Sequence, residues 1–300
     1  MHPSAMLRIA SLALLASHAR ACTVVCATPG ATVDGSALVT HSDDAEGSGD
    51  PRVYRVPAAT HKGGSNRTIY ANAGDFRKPP AIGSIPQVAQ TYSYLRSGFG
   101  MINEKQLVLG ESTTSSISKP NDAKPVNKGG KALIGIQELT MLVMERCATA
   151  RCAVQTAGEL TEKYGFYQDA DTPTGEAFAV GDTKEVWLFH ILPDSTTGSS
   201  VWAGMRVPDG HIASIANMFM IRELDLHDKS NFLASKNIEA EAEKVRRGDE
   251  SGVLFQHRGW NEMSSREGVA SSSEFLFDSI RISALLGPPC SRTSFLLGMG

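Results

Sequence analysis

Ile136, Leu139, Leu142, Val143 and Cys147 recur at helical spacing, giving residues 135–147 one apolar face. Ala150, Ala153, Val154, Ala157, Leu160 and Tyr164 carry the same period through a second segment. Thr149 stands where an N-cap belongs and Gly165 where a C′ glycine belongs. The pattern predicts two packed helices, or one long bent one, between Gly135 and Tyr164. Strand-like runs lie on either side. Cys22–Ala27 and Ser36–Ser42 are β-rich and are separated by Thr28-Pro29-Gly30 and the turn pair Asp34-Gly35, which predicts a hairpin with a long loop. Leu107–Leu109 reads as a strand, with Gly110–Thr114 as its polar exit. Glu176–Val180 and Glu185–Leu192 flank a turn at Gly181–Lys184. The second of these runs is apolar on both faces, as in a strand covered on both sides. Val201–Val207 and Ile212–Asn217 flank Pro208-Asp209-Gly210 and predict another hairpin, and Ile238–Arg247 reads as a charged helix. Residues 44–90, rich in Gly, Pro and Ser, read as loops, as does 115–131. From about residue 250 the periodic signal fades.

These elements predict an α+β fold in layers, with antiparallel sheets and helices outside. A hydrophobic fraction of 41% is ordinary for a globular chain, so the core is expected to come from packing. The net charge of −3 points to no nucleic-acid surface and no polybasic membrane patch. No HExxH, CxxC or clustered His/Asp pattern argues for a metal, and no glycine-rich phosphate loop is present. No cofactor is expected.

The first 21 residues change the picture. Arg8 precedes an apolar run from Ile9 to Ala16, and Ala19-Arg20-Ala21 has the small-residue spacing that signal peptidase accepts. The run is far shorter than the roughly 20 apolar residues of a membrane span. Residues 1–21 therefore read as a cleaved secretory signal, and the mature protein as secreted or lumenal, in a secretory, lysosome-like or periplasmic compartment, and free of the membrane. Asn66-Arg67-Thr68 is a glycosylation sequon, which fits such a route.

Cleavage after Ala21 would make Cys22 the first residue. A terminal cysteine carries a thiol and a free α-amine together, hence a nucleophile and a general base on one residue. The thiolate attacks carbonyl carbon, and a neutral amine beside the sulfur can take its proton and later return it to a leaving amine. The competing reading is a structural half-cystine. The chain has five cysteines, an odd number that leaves one thiol over in a secreted protein. Cys22 and Cys26 lie on one side of a strand about 13 Å apart, too far for a disulfide. Cys26 is expected in the core, and the pairing of Cys147, Cys152 and Cys290 stays open.

Several ordered blocks are similar to one family. Cys22-Thr23, Asp34-Gly35-Ser36 and His41-Ser42-Asp43-Asp44 open the match. Gly100–Glu104, Leu109–Thr114, Ile134–Glu138, Glu145–Val154, Gly175–Trp187, Arg206–Gly210, Ala216-Asn217 and Ser230–Ile238 continue it in order. Residues 22–240 thereby resemble the cysteine dipeptidases of the N-terminal nucleophile (Ntn) hydrolases, the dipeptidase A and secernin group. The resemblance implies an αββα four-layer sandwich and hydrolysis of dipeptides with a free N-terminus. It implies Cys22 as nucleophile, its own amine as base, Asp44 as the acid that contacts the terminal amine, and Asn217 as an oxyanion donor. The second donor falls near Thr113. His41 stands where relatives in the bile-salt-hydrolase branch have arginine, and two readings of it stay open: it orients a carboxylate near Cys22, or it is a satisfied residue of the pocket wall. Asp43 and Asp44 adjoin on a strand, so only one of them is expected to reach the amine.

The expected organisation is a signal peptide over 1–21, a dipeptidase-like Ntn domain over 22–250, and a divergent or truncated C-terminal part over 251–300. Family chains are usually longer. The expected partners are small dipeptide substrates, with oligomeric state open. Two other readings compete: an amidase acting on non-peptide acyl amides, as in the bile-salt and penicillin branches, and an inactive Ntn-fold protein that binds without turnover.

Overall fold

The computed structural model describes residues 22–44, 52–71, 73–74, 79–115, 123–168, 174–194, 197–222 and 224–247. The expected signal peptide and the 251–300 segment lie outside the described residues, as does Cys290. Strands β1 (Thr23–Ala27) and β2 (Leu38–Ser42) form the expected hairpin. Between 54 and 91 run β3 (Tyr54–Val56), β4 (Ala59–Thr60), β5 (Asn66–Tyr70), β6 (Ala81–Pro86) and β7 (Gln90–Thr91). The reading of 44–90 as loops is corrected there: β3, β4 and β7 are only two or three residues long, and β5 and β6 carry few apolar positions among polar, Gly and Pro residues, so pairing rather than a period of their own defines them. Then follow β8 (Tyr94–Arg96), β9 (Gly100–Asn103) and β10 (Val108–Ser115). Gly110–Thr114 is thus the middle of β10 and not a polar exit.

Helices α1 (Ile136–Arg146) and α2 (Ala150–Tyr164) come next. The Thr149 hydroxyl accepts from the Cys152 amide at 3.2 Å, and Gly165 takes a φ of 76°, so both ends of α2 close as expected. Cys147 and Cys152 are joined in a disulfide across the junction of the two helices. Asn103 Nδ2 donates to the carbonyls of Met144 and Cys147 at 2.9 and 2.7 Å, satisfying the open end of α1. The chain continues through β11 (Thr174–Gly181), β12 (Val186–Asp194), β13 (Ser199–Arg206), β14 (Ile212–Ala216), β15 (Phe232–Ala234) and α3 (Ile238–Arg246).

All pairing between these strands is antiparallel. The large sheet has the order β15-β13-β12-β11-β10-β9-β8-β3, and the small one β14-β1-β2. One expectation fails here. β13 and β14 do not pair, because Pro208-Asp209-Gly210 carries the chain from the large sheet to the small one, where β14 lies against β1. A turn signal fixes where the chain reverses but not which sheet receives it. Asp209 holds the crossing in place by accepting the Gly30 amide at 2.7 Å.

The core has two parts. Trp187, Phe189 and Ile191 of β12 pack with Phe178, Leu139, Val143 and Val154 beneath the helices. Leu188 and Leu192, on the other face of β12, pack with Val24, Cys26 and Ile215 of the small sheet. That is why β12 is apolar on both faces. The described residues therefore build helix, sheet and sheet in an α+β arrangement. The far face of the small sheet leaves Val25, Leu38 and Ile212 exposed by 40%, 51% and 56%, so the fourth layer of the expected sandwich is not among them.

Candidate functional site

Cys22 sits just before β1, and the strand order puts its neighbours around it. β2 lies on one side and β14 on the other, with β10 of the large sheet beneath. The sheets come unusually close at Gly110, where a Cβ would lie 2.7 Å from the Thr40 carbonyl oxygen and 3.2 Å from the Cβ of His41. Only glycine permits that approach without displacement. It brings the residues that follow Gly110 on β10 up to Cys22.

The Cys22 thiol is half-buried, and its Sγ lies 3.9 Å from Asp43 Oδ1. Its pKa is pushed up, first by burial, and further by the negative charges of Glu111, Asp43 and Asp44. A hydrogen bond from the Asp44 backbone amide opposes the rise. In the described chain, where Cys22 still follows Ala21, the sulfur is held as a thiol.

β2 ends at Ser42, so Asp43 and Asp44 lie beyond it and are exposed. The alternation expected of them on a strand does not apply. Both reach Cys22, Asp43 through its carboxylate and Asp44 through its backbone amide.

His41 pairs with Val24 across the hairpin and turns inward. Its Nε2 lies 3.9 Å from Glu111 Oε2, and its ring meets Phe99 edge-on at 5.5 Å. Burial lowers its pKa against the pull of Asp43 and Asp44. Glu111 is fully buried. The Thr113 hydroxyl points to it as well, with Oγ1 3.4 Å from Glu111 Oε1. Thr113 therefore faces the site with its backbone.

Asn217 follows β14 with a φ of +53°, a conformation that asparagine tolerates better than most residues. Its Nδ2 donates to the Thr113 carbonyl at 2.6 Å, and its backbone amide donates to Ser112 Oγ at 3.1 Å. The Ser112 hydroxyl in turn donates to the Cys22 carbonyl at 3.1 Å. The structure so brings Cys22, Asn217 and the Thr113 backbone together, with Asp43 and Asp44 at the rim and the His41–Glu111 pair below.

His190 lies deeper. It is fully buried, its Nε2 accepts the Met220 amide at 3.1 Å, and its ring lies 5.0 Å from that of Phe219. Burial lowers its pKa to about 3, so it is neutral. It anchors the segment that begins at Asn217. Among the described residues, no group of three His, Cys, Asp or Glu side chains converges as a metal site.

Sequence reasoning missed Glu111, Ser112 and His190. The block Leu109–Thr114 contained the first two, but a polar run after a strand reads as an exit to solvent. His190 in an otherwise apolar strand was a visible signal: a polar ring there needs a partner.

The chain is similar to several curated dipeptidases. It is 26% identical over 230 residues to a "Probable dipeptidase" of Latilactobacillus sakei, a match covering 73% of this chain and 44% of that protein. It is 25% identical over 221 residues to "Probable dipeptidase B" of Lactococcus lactis, covering 72% and 43%. A "Probable dipeptidase" of Salmonella dublin matches at 25% over 240 residues, covering 75% and 49%. The chain spans less than half the length of these relatives. Residues 21–261, most of the chain, match the sequence profile of Peptidase family C69. The chain belongs to peptidase family C69.

Proposed function

We propose that the mature protein is a secreted or lumenal cysteine dipeptidase with Cys22 as its N-terminal nucleophile. One observation carries the reading. The residue that follows Ala19-Arg20-Ala21 is also the residue around which Asp43, Asp44, Ser112 and Asn217 gather. Removal of residues 1–21 turns the Cys22 amide nitrogen into an α-amine. Burial, and after it the nearby carboxylates, now hold the thiol protonated. Transfer of its proton to the neutral α-amine leaves an ammonium that faces those carboxylates and stabilises the thiolate beside it. The Cys147–Cys152 disulfide supports an oxidising compartment, since such bonds persist there. The helix–sheet–sheet order supports an αββα sandwich for the whole protein.

The chemistry follows from the groups in place. The dipeptide's ammonium is drawn to Asp44, which sets its carbonyl carbon over Sγ. The α-amine takes the thiol proton, and the sulfur attacks. The tetrahedral oxyanion is held by Asn217 Nδ2, whose second hydrogen is not spent on Thr113, with a further donor from the Thr113 region. The amine then returns the proton to the leaving amino acid, and water hydrolyses the thioester. His41 orients Glu111, which adds negative potential for the ammonium groups.

N-terminal sequencing of secreted protein is expected to find Cys22 first. A mature chain that begins elsewhere sinks the mechanism. Cys22→Ala is expected to abolish release of amino acids from dipeptides while the protein stays folded. Cleavage of acylated amines without cleavage of dipeptides favours the amidase reading. Slow, pH-insensitive alkylation of Cys22 favours the inactive one.

A further inference from the structure

The Ser112 hydroxyl touches both halves of the site. It donates to the Cys22 carbonyl and accepts the Asn217 amide, each at 3.1 Å. The side chain is fully buried, so water does not compete for those bonds. On the other side of the same peptide unit, the Thr23 amide donates to Ser42 Oγ at 3.2 Å. The Cys22–Thr23 peptide plane is therefore held from both ends, by Ser112 at its carbonyl and Ser42 at its amide. Fixing that plane anchors the Cys22 Cα beside Ser112, so its nitrogen and sulfur can move only by rotation about the Cα–C bond and about χ1. The same hydroxyl fixes the backbone of Asn217, whose side-chain amide is tied to Thr113, the next residue on β10.

We propose that Ser112 is the positioning residue of this site, one hydroxyl that sets the nucleophile and the oxyanion donor in register. It touches no reacting atom. It links β10 of the large sheet to the start of β1 and the end of β14 in the small one, so it converts the packing of β10 under those strands into a fixed distance between Cys22 and Asn217. This rests on Cys22 being the nucleophile. Misplacement of reacting groups by about 1 Å costs on the order of 100-fold in rate.

The test uses the mature protein with Ser112→Ala and Ser112→Thr. Dipeptide hydrolysis, the pH profile of iodoacetamide alkylation at Cys22 and cooperative unfolding are measured on each. Ser112→Ala is expected to lower kcat by roughly 10- to 100-fold with KM changed by less than about 3-fold, and to shift the Cys22 alkylation profile. Ser112→Thr, which keeps the hydroxyl, is expected to restore most of both. Ser112→Ala with kcat within about 2-fold of the parent overturns the proposal. So does a loss of kcat that only tracks the fraction unfolded, with an unchanged alkylation profile in the folded protein. If Ser112→Ala does not fold, Ser112→Thr decides: a folded Thr variant whose alkylation profile departs from the parent's overturns the proposal, and one that matches it supports it. A parent protein that cleaves no dipeptide, yet whose Cys22 alkylation still depends on Ser112, overturns the dipeptidase reading and supports the positioning role.

Discussion

Asn217 Nδ2 donates to the carbonyl oxygen of Thr113 at 2.6 Å, and this bond aims the side chain of a residue whose backbone lies in the left-handed region. Two properties of asparagine are used at once, its tolerance of positive φ and its amide. They can be separated. Asn217→Gly keeps the backbone conformation and removes the amide. It is expected to lower kcat by about 100- to 1000-fold, the usual loss on deleting an oxyanion donor, with little change in thermal midpoint. Asn217→Ala is expected to lose the same activity and about 1 kcal/mol of stability besides, because alanine resists that φ. Steady-state kinetics and thermal unfolding of both variants check the pair.

His190 makes stability depend on acid. Its folded pKa of about 3 lies below the ordinary value of 6.5, so the unfolded chain binds the proton more readily. The stability that comes from burying the neutral ring is complete above pH 6.5 and falls as pH drops from 6.5 toward 3. The loss attributable to this one group is about 2 kcal/mol at pH 5. Urea unfolding of the parent between pH 7.5 and 5 is expected to show that slope, and His190→Gln a shallower one. Equal slopes would remove His190 as the cause. Because Nε2 holds the Met220 amide, the same acidification is expected to loosen the segment that carries Asn217.

Much of this was legible in the chain. The two helices announced themselves because each is long, keeps one apolar face and carries its caps, Thr149 and Gly165. Cys26 read as core because it shares a strand face with Cys22 at a separation that forbids a bond. What stayed hidden depends on long-range packing. β4 and β7 are two residues each and exist only because they pair with each other. The strands after Pro208 and before it look like one hairpin, and only the closure of the small sheet by β14 against β1 separates them. Ser112 looked like solvent-facing polarity. Its role comes from Gly110, two residues earlier, which lets the sheets approach closely enough for a hydroxyl to reach Cys22.

The Cys147–Cys152 disulfide closes a short loop between α1 and α2. Cross-linking so short a loop stabilises by about 2 kcal/mol in the chain-entropy account. Reduction with dithiothreitol, or the double variant Cys147→Ala/Cys152→Ala, is expected to lower the thermal midpoint by a few degrees. It is expected to leave the alkylation rate of Cys22 unchanged, since Cys147 lies beneath the helices, in the part of the core away from the small sheet. Differential scanning calorimetry and mass-spectrometric labelling of the two forms read the two effects separately.

Arg67 on β5 reaches two carboxylates of α1, Glu138 at 2.8 Å and Glu145 at 3.2 Å, and so fastens the β5–β6 hairpin to that helix. Glu138 and Glu145 are seven residues apart, hence on one helix face. Burial raises the Glu138 pKa to about 7, and the Arg67 guanidinium holds it down against that rise. Removing the arginine leaves the buried Glu138 without its ion-pair partner and Glu145 with Arg146 alone, 3.6 Å away, and breaking such a buried pair typically costs about 3–5 kcal/mol. Arg67→Met keeps the length and the apolar stem, so packing changes least. The sign with pH is opposite to that of His190. Glu138 binds its proton more tightly in the folded protein than in the unfolded chain, so its contribution becomes unfavourable as pH rises from 4.5 through 7. In Arg67→Met the pKa rises further and the penalty grows with pH. Urea unfolding at pH 5.5 and pH 8 is therefore expected to show a larger deficit for Arg67→Met at pH 8. Arg67→Met/Glu138→Gln is expected to recover part of the loss at pH 8 and little at pH 5.5, where Glu138 is already protonated. A deficit independent of pH would mean that Arg67 acts through packing and its bond to the Thr68 carbonyl, and not through the buried charges.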